Sequence, residues 1–120
     1  MPRVLVCDKE SAENGLLLQV LSGQGYEVVF VPGLEAALRE LASTKFRLLL
    51  LGIQGEAQQV RDFLCQVRAL HRDVALITMV DEDSIEVQKM IRKEKVFYHL
   101  VRPFEETEIL QAVRSALARG

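Results

Sequence analysis

At 120 residues, with a formal net charge of -2, 49% hydrophobic and 27% charged content, the chain has the size and balance of one globular domain able to bury a core. That charge weighs against direct nucleic-acid binding, which needs a clear basic excess, and no apolar run approaches the ~18 residues of a membrane span. The opening MPRVLVCD enters a strand at once and leaves no room for a signal peptide. Cys7 and Cys65 are far apart and lack a C-x-x-C or histidine companion. They read as reduced thiols of a cytoplasmic protein, buried or half-buried, and not as zinc ligands.

Apolar runs and amphipathic segments then alternate regularly. RVLVC (Arg3 to Cys7) predicts a strand, and SAENGLLLQVLSG a helix with Leu17, Val20, Leu21 and Ala12 inward, closed by Gly23 or Gly25. YEVVFV (Tyr26 to Val31) is a second strand ending at Pro32-Gly33. LEAALRELAST sets Leu34, Ala37, Leu38 and Leu41 at helical spacing. FRLLLL is a third strand, and AQQVRDFLCQVRALH a helix with Val60, Phe63, Leu64, Val67 and Leu70 on one stripe. VALITMV (Val74 to Val80) is a fourth strand. A fourth helix is predicted from Asp83, which can cap it while Glu86 answers three residues on. VFYHLV (Val96 to Val101) is a fifth strand, and Arg102-Pro103-Phe104 leads to a last helix carrying Ile109, Leu110, Val113 and Leu117.

Strands and helices in this alternation, with short connections, predict an α/β fold: a doubly wound, five-stranded parallel sheet with helices on both faces. No repeat, low-complexity stretch or linker interrupts residues 1–120, which read as one domain, cut from a longer signalling protein or standing alone. In such folds ligands bind at the carboxyl ends of the strands. The third strand, FRLLLLGIQGE, is apolar enough to be buried on both faces, yet it ends on Gly52, which brings no side chain to that edge.

Taken in order, RVLVCDKE, FRLLLLGIQ, VALITMV and HLVRPF resemble the receiver (CheY-like) domain of two-component response regulators, over essentially the whole chain. The resemblance implies a flavodoxin-like fold with an acidic pair after the first strand and an aspartate ending the third. In the family these bind Mg²⁺, and that aspartate accepts a phosphoryl group. A Ser or Thr ending the fourth strand and a Lys after the fifth contact the phosphoryl oxygens. Matched position by position, Asp8 keeps the first acid, Lys9 replaces the second, Gly52 stands at the phosphoacceptor, Thr78 fits the hydroxyl and Arg102 replaces the lysine. His99 falls on the aromatic switch position, and Met79 replaces a small residue.

Mg²⁺ is a hard cation that wants oxygen ligands, and one carboxylate beside an ammonium is wrong in charge and number. Phosphoryl transfer to the chain needs a nucleophilic oxygen that glycine does not have. Two readings of Lys9 stand: its ammonium fills the missing cation's place and pairs with Asp8, with Arg102 at the rim, or it points to solvent. Thr78 either binds an anion or caps the loop beyond its strand. His99 is a residual switch or a half-exposed edge residue. Cys7 is a thiolate stabilised by Lys9 or a small buried hydrophobe. Glu56 and Asp62 are weak substitutes for the acceptor, and His71 reads as a solvated loop residue.

The expected function is that of a non-phosphorylatable pseudo-receiver: not an enzyme, with no cofactor, no metal site and Mg²⁺ binding lost or weak. It would act through a protein partner or an attached effector domain. The resemblance puts partner or homodimer contacts on the face formed by the fourth helix, fifth strand and last helix. That face holds His99, Ile85, Met90 and Ile91 among the basic Lys89, Arg92, Lys93 and Lys95, which suit an acidic partner. The alternatives are an atypical receiver that binds phosphoryl or another anion through Asp8, Thr78 and Arg102, and a small-molecule or thiol sensor above Gly52 and Cys7.

Overall fold

The structure is a computed structural model that describes residues 2–9, 12–53, 57–70, 73–80, 89 and 98–119. Strands β1 (Arg3–Cys7), β2 (Glu27–Val31), β3 (Leu48–Gly52), β4 (Ala75–Val80) and β5 (Tyr98–Val101) form one parallel sheet in the order β2-β1-β3-β4-β5. Among the described residues the helices are α1 (Ala12–Gly23), α2 (Leu34–Ser43), α3 (Ala57–Leu70) and α4 (Glu106–Arg119). The helix predicted from Asp83 lies outside the described residues, Lys89 excepted.

Alternation along the central strands explains why they are apolar on both faces. Leu5 and Cys7 of β1, Leu49 and Leu51 of β3, and Leu76 and Val80 of β4 pack into one core with Ala37 and Leu41 of α2 and Val60, Phe63, Leu64 and Val67 of α3. Their alternates Val4, Val6, Leu48, Leu50, Ala75, Ile77 and Met79 build a second core with Leu17 and Leu21 of α1 and Ile109, Ala112, Val113 and Ala116 of α4. Parallel strands buried in this way lose the polar-out pattern of a one-sided sheet.

Some details differ from the sequence reading. Leu70 is 50% exposed, because α3 ends on it and the stripe runs off the sheet. Cys65 is exposed, one residue past buried Leu64 and so on the outer side of α3. Leu34, Leu38, Leu110 and Leu117 are only partly buried, and the small Ala112 and Ala116 of α4 are fully buried instead. Gly25, with φ of 87°, takes the left-handed conformation that closes α1, and Tyr26 N–H donates back to the Leu21 carbonyl. At the start of α4, Glu105 N–H donates to Glu108 Oε1 at 3.1 Å, so part of the acidic EETE run is a helix cap. No helix among the described residues is long and apolar enough to cross a membrane.

The order of strands positions the site. The chain runs outward from β1 to β2, then returns to β3 on the other side of β1. Connections therefore leave the carboxyl ends of β1 and β3 in opposite directions and open a crevice between them. Asp8 and Gly52 stand at those two ends.

Candidate functional site

Backbone bonds hold the strand ends that carry the site. Asp8 N–H donates to the Val31 carbonyl at 3.1 Å, Ile53 N–H to Met79 at 2.8 Å, and Arg102 N–H to Val80 at 2.7 Å. From these ends, the Asp8 carboxylate accepts the Lys9 backbone N–H on Oδ1 at 2.9 Å. Its Oδ2 accepts a hydrogen bond from Arg102 Nη2, in an ion pair whose side chains are only 10% (Arg102) and 2% (Asp8) exposed. The Arg102-Pro103 peptide is cis. Since β3 and β4 lie between β1 and β5, the arginine reaches across the ends of two strands to meet its partner.

Gly52 makes that reach feasible. A Cβ at this position would lie 2.2 Å from Asp8 Oδ1, 2.6 Å from Asp8 Cγ and 3.2 Å from Arg102 Nη2. Contacts below 3 Å are not tolerated, so the carboxylate occupies the space where a side chain at 52 would begin, and the guanidinium lies against it. The position is filled, although its residue has no side chain.

Of the two readings of Lys9, this supports the one in which it points to solvent and not the pairing with Asp8. Lys9 is exposed, and among the described residues the ion pair of Asp8 is with Arg102. Arg102 is accordingly not at the rim but nearly enclosed. The physical reason is hydration: an ammonium is a strongly hydrated point charge, whereas a planar guanidinium loses less on burial and matches a carboxylate's geometry. The resemblance had also pointed to Mg²⁺, and the residues present do not fit it. The retained carboxylate already faces a fixed cation, Gly52 supplies no side-chain oxygen, and no cluster of three acidic, histidine or cysteine side chains occurs among the described residues.

No family model matches the chain, and no curated protein matches it. Solved structures do. A CheY-like response regulator receiver domain protein from Methanospirillum hungatei JF-1 is 19% identical at a TM-score of 0.88, with 99% of this chain and 95% of that one covered. A response regulator from Thermotoga maritima is 16% identical at a TM-score of 0.89, with 98% of both covered. The signal receiver domain of an HD domain-containing protein from Pseudomonas fluorescens Pf-5 is 23% identical at a TM-score of 0.85, covering 98% of this chain and 95% of that one. The chain has the CheY-like receiver fold.

Within this receiver fold the other singled-out residues separate. Thr78 is fully buried in β4, beside Leu51 of β3 and His99 of β5, and its Oγ1 has no hydrogen-bond partner among the described residues. The loop beyond β4 that it was expected to cap lies outside the described residues. Met79 faces the opposite core from the strand's even-numbered neighbours. Cys7 is buried, and burial together with the adjacent Asp8 charge raises its thiol pKa to about 12, so the hydrophobe reading holds over a Lys9-stabilised thiolate. His99 is exposed on the edge strand β5. Asp62 is exposed on α3, where it accepts from Gln58 Nε2 at 2.9 Å and so engages its own helix. Glu56, His71, Ile85, Met90, Ile91, Arg92, Lys93 and Lys95 lie outside the described residues; Lys89 is exposed.

Beside the ion pair, a cleft of about 310 Å³ opens between the ends of β1 and β3, the Pro32-Gly33 turn and the first turns of α3, where Gln59 and Val60 line it. Pro32 and Gly33 were legible only as the end of the second strand, and Gln59 carried no signal in the sequence. Arg102 carried one that was read too weakly: a longer, planar cation coincided with a missing side chain at 52, and the two changes compensate each other.

Proposed function

We propose that this chain is a cytoplasmic receiver-type signalling module that does not accept a phosphoryl group and works through protein–protein contact. One observation carries the reading: the place of an acceptor side chain at Gly52 is taken by the Asp8 carboxylate and the Arg102 guanidinium lies against it. A nucleophile needs an oxygen in line with the phosphoryl donor, and a metal needs free carboxylate oxygens. Neither is offered here. The surviving Asp8, Thr78 and Arg102 do not make an anion pocket either, because the cation is matched to a carboxylate and the hydroxyl is sealed in the sheet.

With the chemistry gone, the surfaces remain. The exposed His99 on β5 and the outer side of α4 are the described parts of the face by which receivers meet partners. The partner would be another protein, a second copy of the chain or an attached effector, as in the HD domain-containing protein among the similar structures. The test is an amide NMR titration with Mg²⁺ and then beryllofluoride, a mimic of the phosphorylated aspartate. Asp8, Gly52 and Thr78 are expected to stay still. Saturable shifts at these residues that spread to His99 would overturn the reading.

A further inference from the structure

An acceptor lost to glycine should leave the place of its Cβ open, and here that place is taken, while the cleft lies beside it. The atoms nearest to a Cβ at 52 are the Asp8 carboxylate and Arg102 Nη2. The cation so placed comes from the end of β5, three strands away in the sheet from β1. We infer that Arg102 is a resident cation that stands in for the metal: held on Asp8 over Gly52, it ties the end of β5 to the end of β1 and keeps the receiver in one state. The inference rests on the reading of the chain as a receiver that takes no phosphate.

Three features support it. The charge is right, since the guanidinium supplies the positive charge that one remaining carboxylate needs and remains protonated at any relevant pH. The space is right, since only a bare position at the end of β3 lets carboxylate and guanidinium meet there. The connection is right, since Arg102 follows β5 directly and its backbone is bonded to Val80 at 2.7 Å. The resemblance puts at this position a lysine that engages phosphoryl oxygens. Its replacement engages a carboxylate of the chain itself, so a contact that would come and go with phosphate is permanent. Lys9 contributes no such tie, being exposed.

It follows that restoring the missing acids, although a side chain at 52 displaces the present contact, leaves Mg²⁺ competing with the arginine for Asp8. The experiment is a calorimetric Mg²⁺ titration of Lys9→Asp/Gly52→Asp and of the same chain with Arg102→Lys added. The triple variant is expected to bind Mg²⁺ at least tenfold more tightly, and equal affinity would overturn the inference. Because these chains carry several changes in a packed site, a second measurement uses the near-isosteric Asp8→Asn in the otherwise natural chain. Its amide shifts are expected to extend along His99 to Phe104; shifts confined to Cys7, Lys9 and Gly52 would overturn the tie. Mg²⁺ binding by the unaltered chain sinks the proposed function instead, so the two failures are distinguishable.

Discussion

Gly52 and Asp8 compete for one volume: a Cβ on the glycine would lie 2.2 Å from Oδ1 of the aspartate. Glycine is needed here for space and not for backbone freedom, as its φ is not in the left-handed region. Gly52→Ala is therefore expected to push the Asp8 carboxylate aside and to cost about 1–3 kcal/mol, the range for overpacking a filled site. Urea denaturation gives the loss. Repeating it in an Asp8→Ala background should shrink the cost, since the clashing atoms are gone, and an undiminished cost would show that another contact is responsible.

Two ion pairs of the chain should behave differently when broken. Arg3 and Glu27 meet at 3.0 Å across β1 and β2 with side chains 45% and 49% exposed, and Arg3→Ala should cost less than ~1 kcal/mol. Arg102→Ala leaves the carboxylate of Asp8 buried without that cation and should cost about 3–5 kcal/mol. Chemical denaturation of both variants checks the contrast. Comparable losses would mean that Asp8 is rescued by water or by another group.

Thr78 holds a fully buried hydroxyl with no hydrogen-bond partner among the described residues. Removing an unsatisfied polar atom while keeping the shape is favourable, so Thr78→Val should raise stability by roughly 1 kcal/mol, read as a higher urea midpoint. A loss of stability instead would reveal a partner for the hydroxyl in solution.

The cysteines should differ in reactivity. Exposed Cys65 should be alkylated in the native chain, whereas Cys7, a protonated thiol held up to about 12, should react only after unfolding. Peptide mapping after iodoacetamide treatment separates them. The same shift has a consequence for stability. The fold prefers protonated Cys7, while the unfolded thiol ionises near 9.0, so this contribution is complete below pH 9 and declines as pH climbs toward 12. Cys7→Ser should flatten that decline, which alkaline denaturation midpoints would record.

The strand and helix order could be read from the sequence because each central strand is flanked on both sides by apolar stripes of helical period, a pattern set by burial alone. The ends of elements were less legible. Leu70 shares the stripe of Phe63 and Val67 but lies beyond the sheet's cover, and whether a periodic position is covered depends on its neighbours. Ala112 and Ala116 went unnoticed because small residues look neutral in a pattern, yet both are fully buried in the core that α4 forms with the sheet.

By itself the sequence determined the receiver-like succession of elements and the removal of the acceptor oxygen and of one acid, since those are facts of residue type and order. It did not determine which cation answers Asp8. Lys9 is adjacent in the chain, while Arg102 is 94 residues away and enters only because the sheet order β2-β1-β3-β4-β5 and the bare end of β3 bring it over. That choice belonged to the tertiary structure. The ammonium of Lys9 keeps its water at the surface, and the less hydrated guanidinium can be enclosed with a carboxylate once folding has brought the two together.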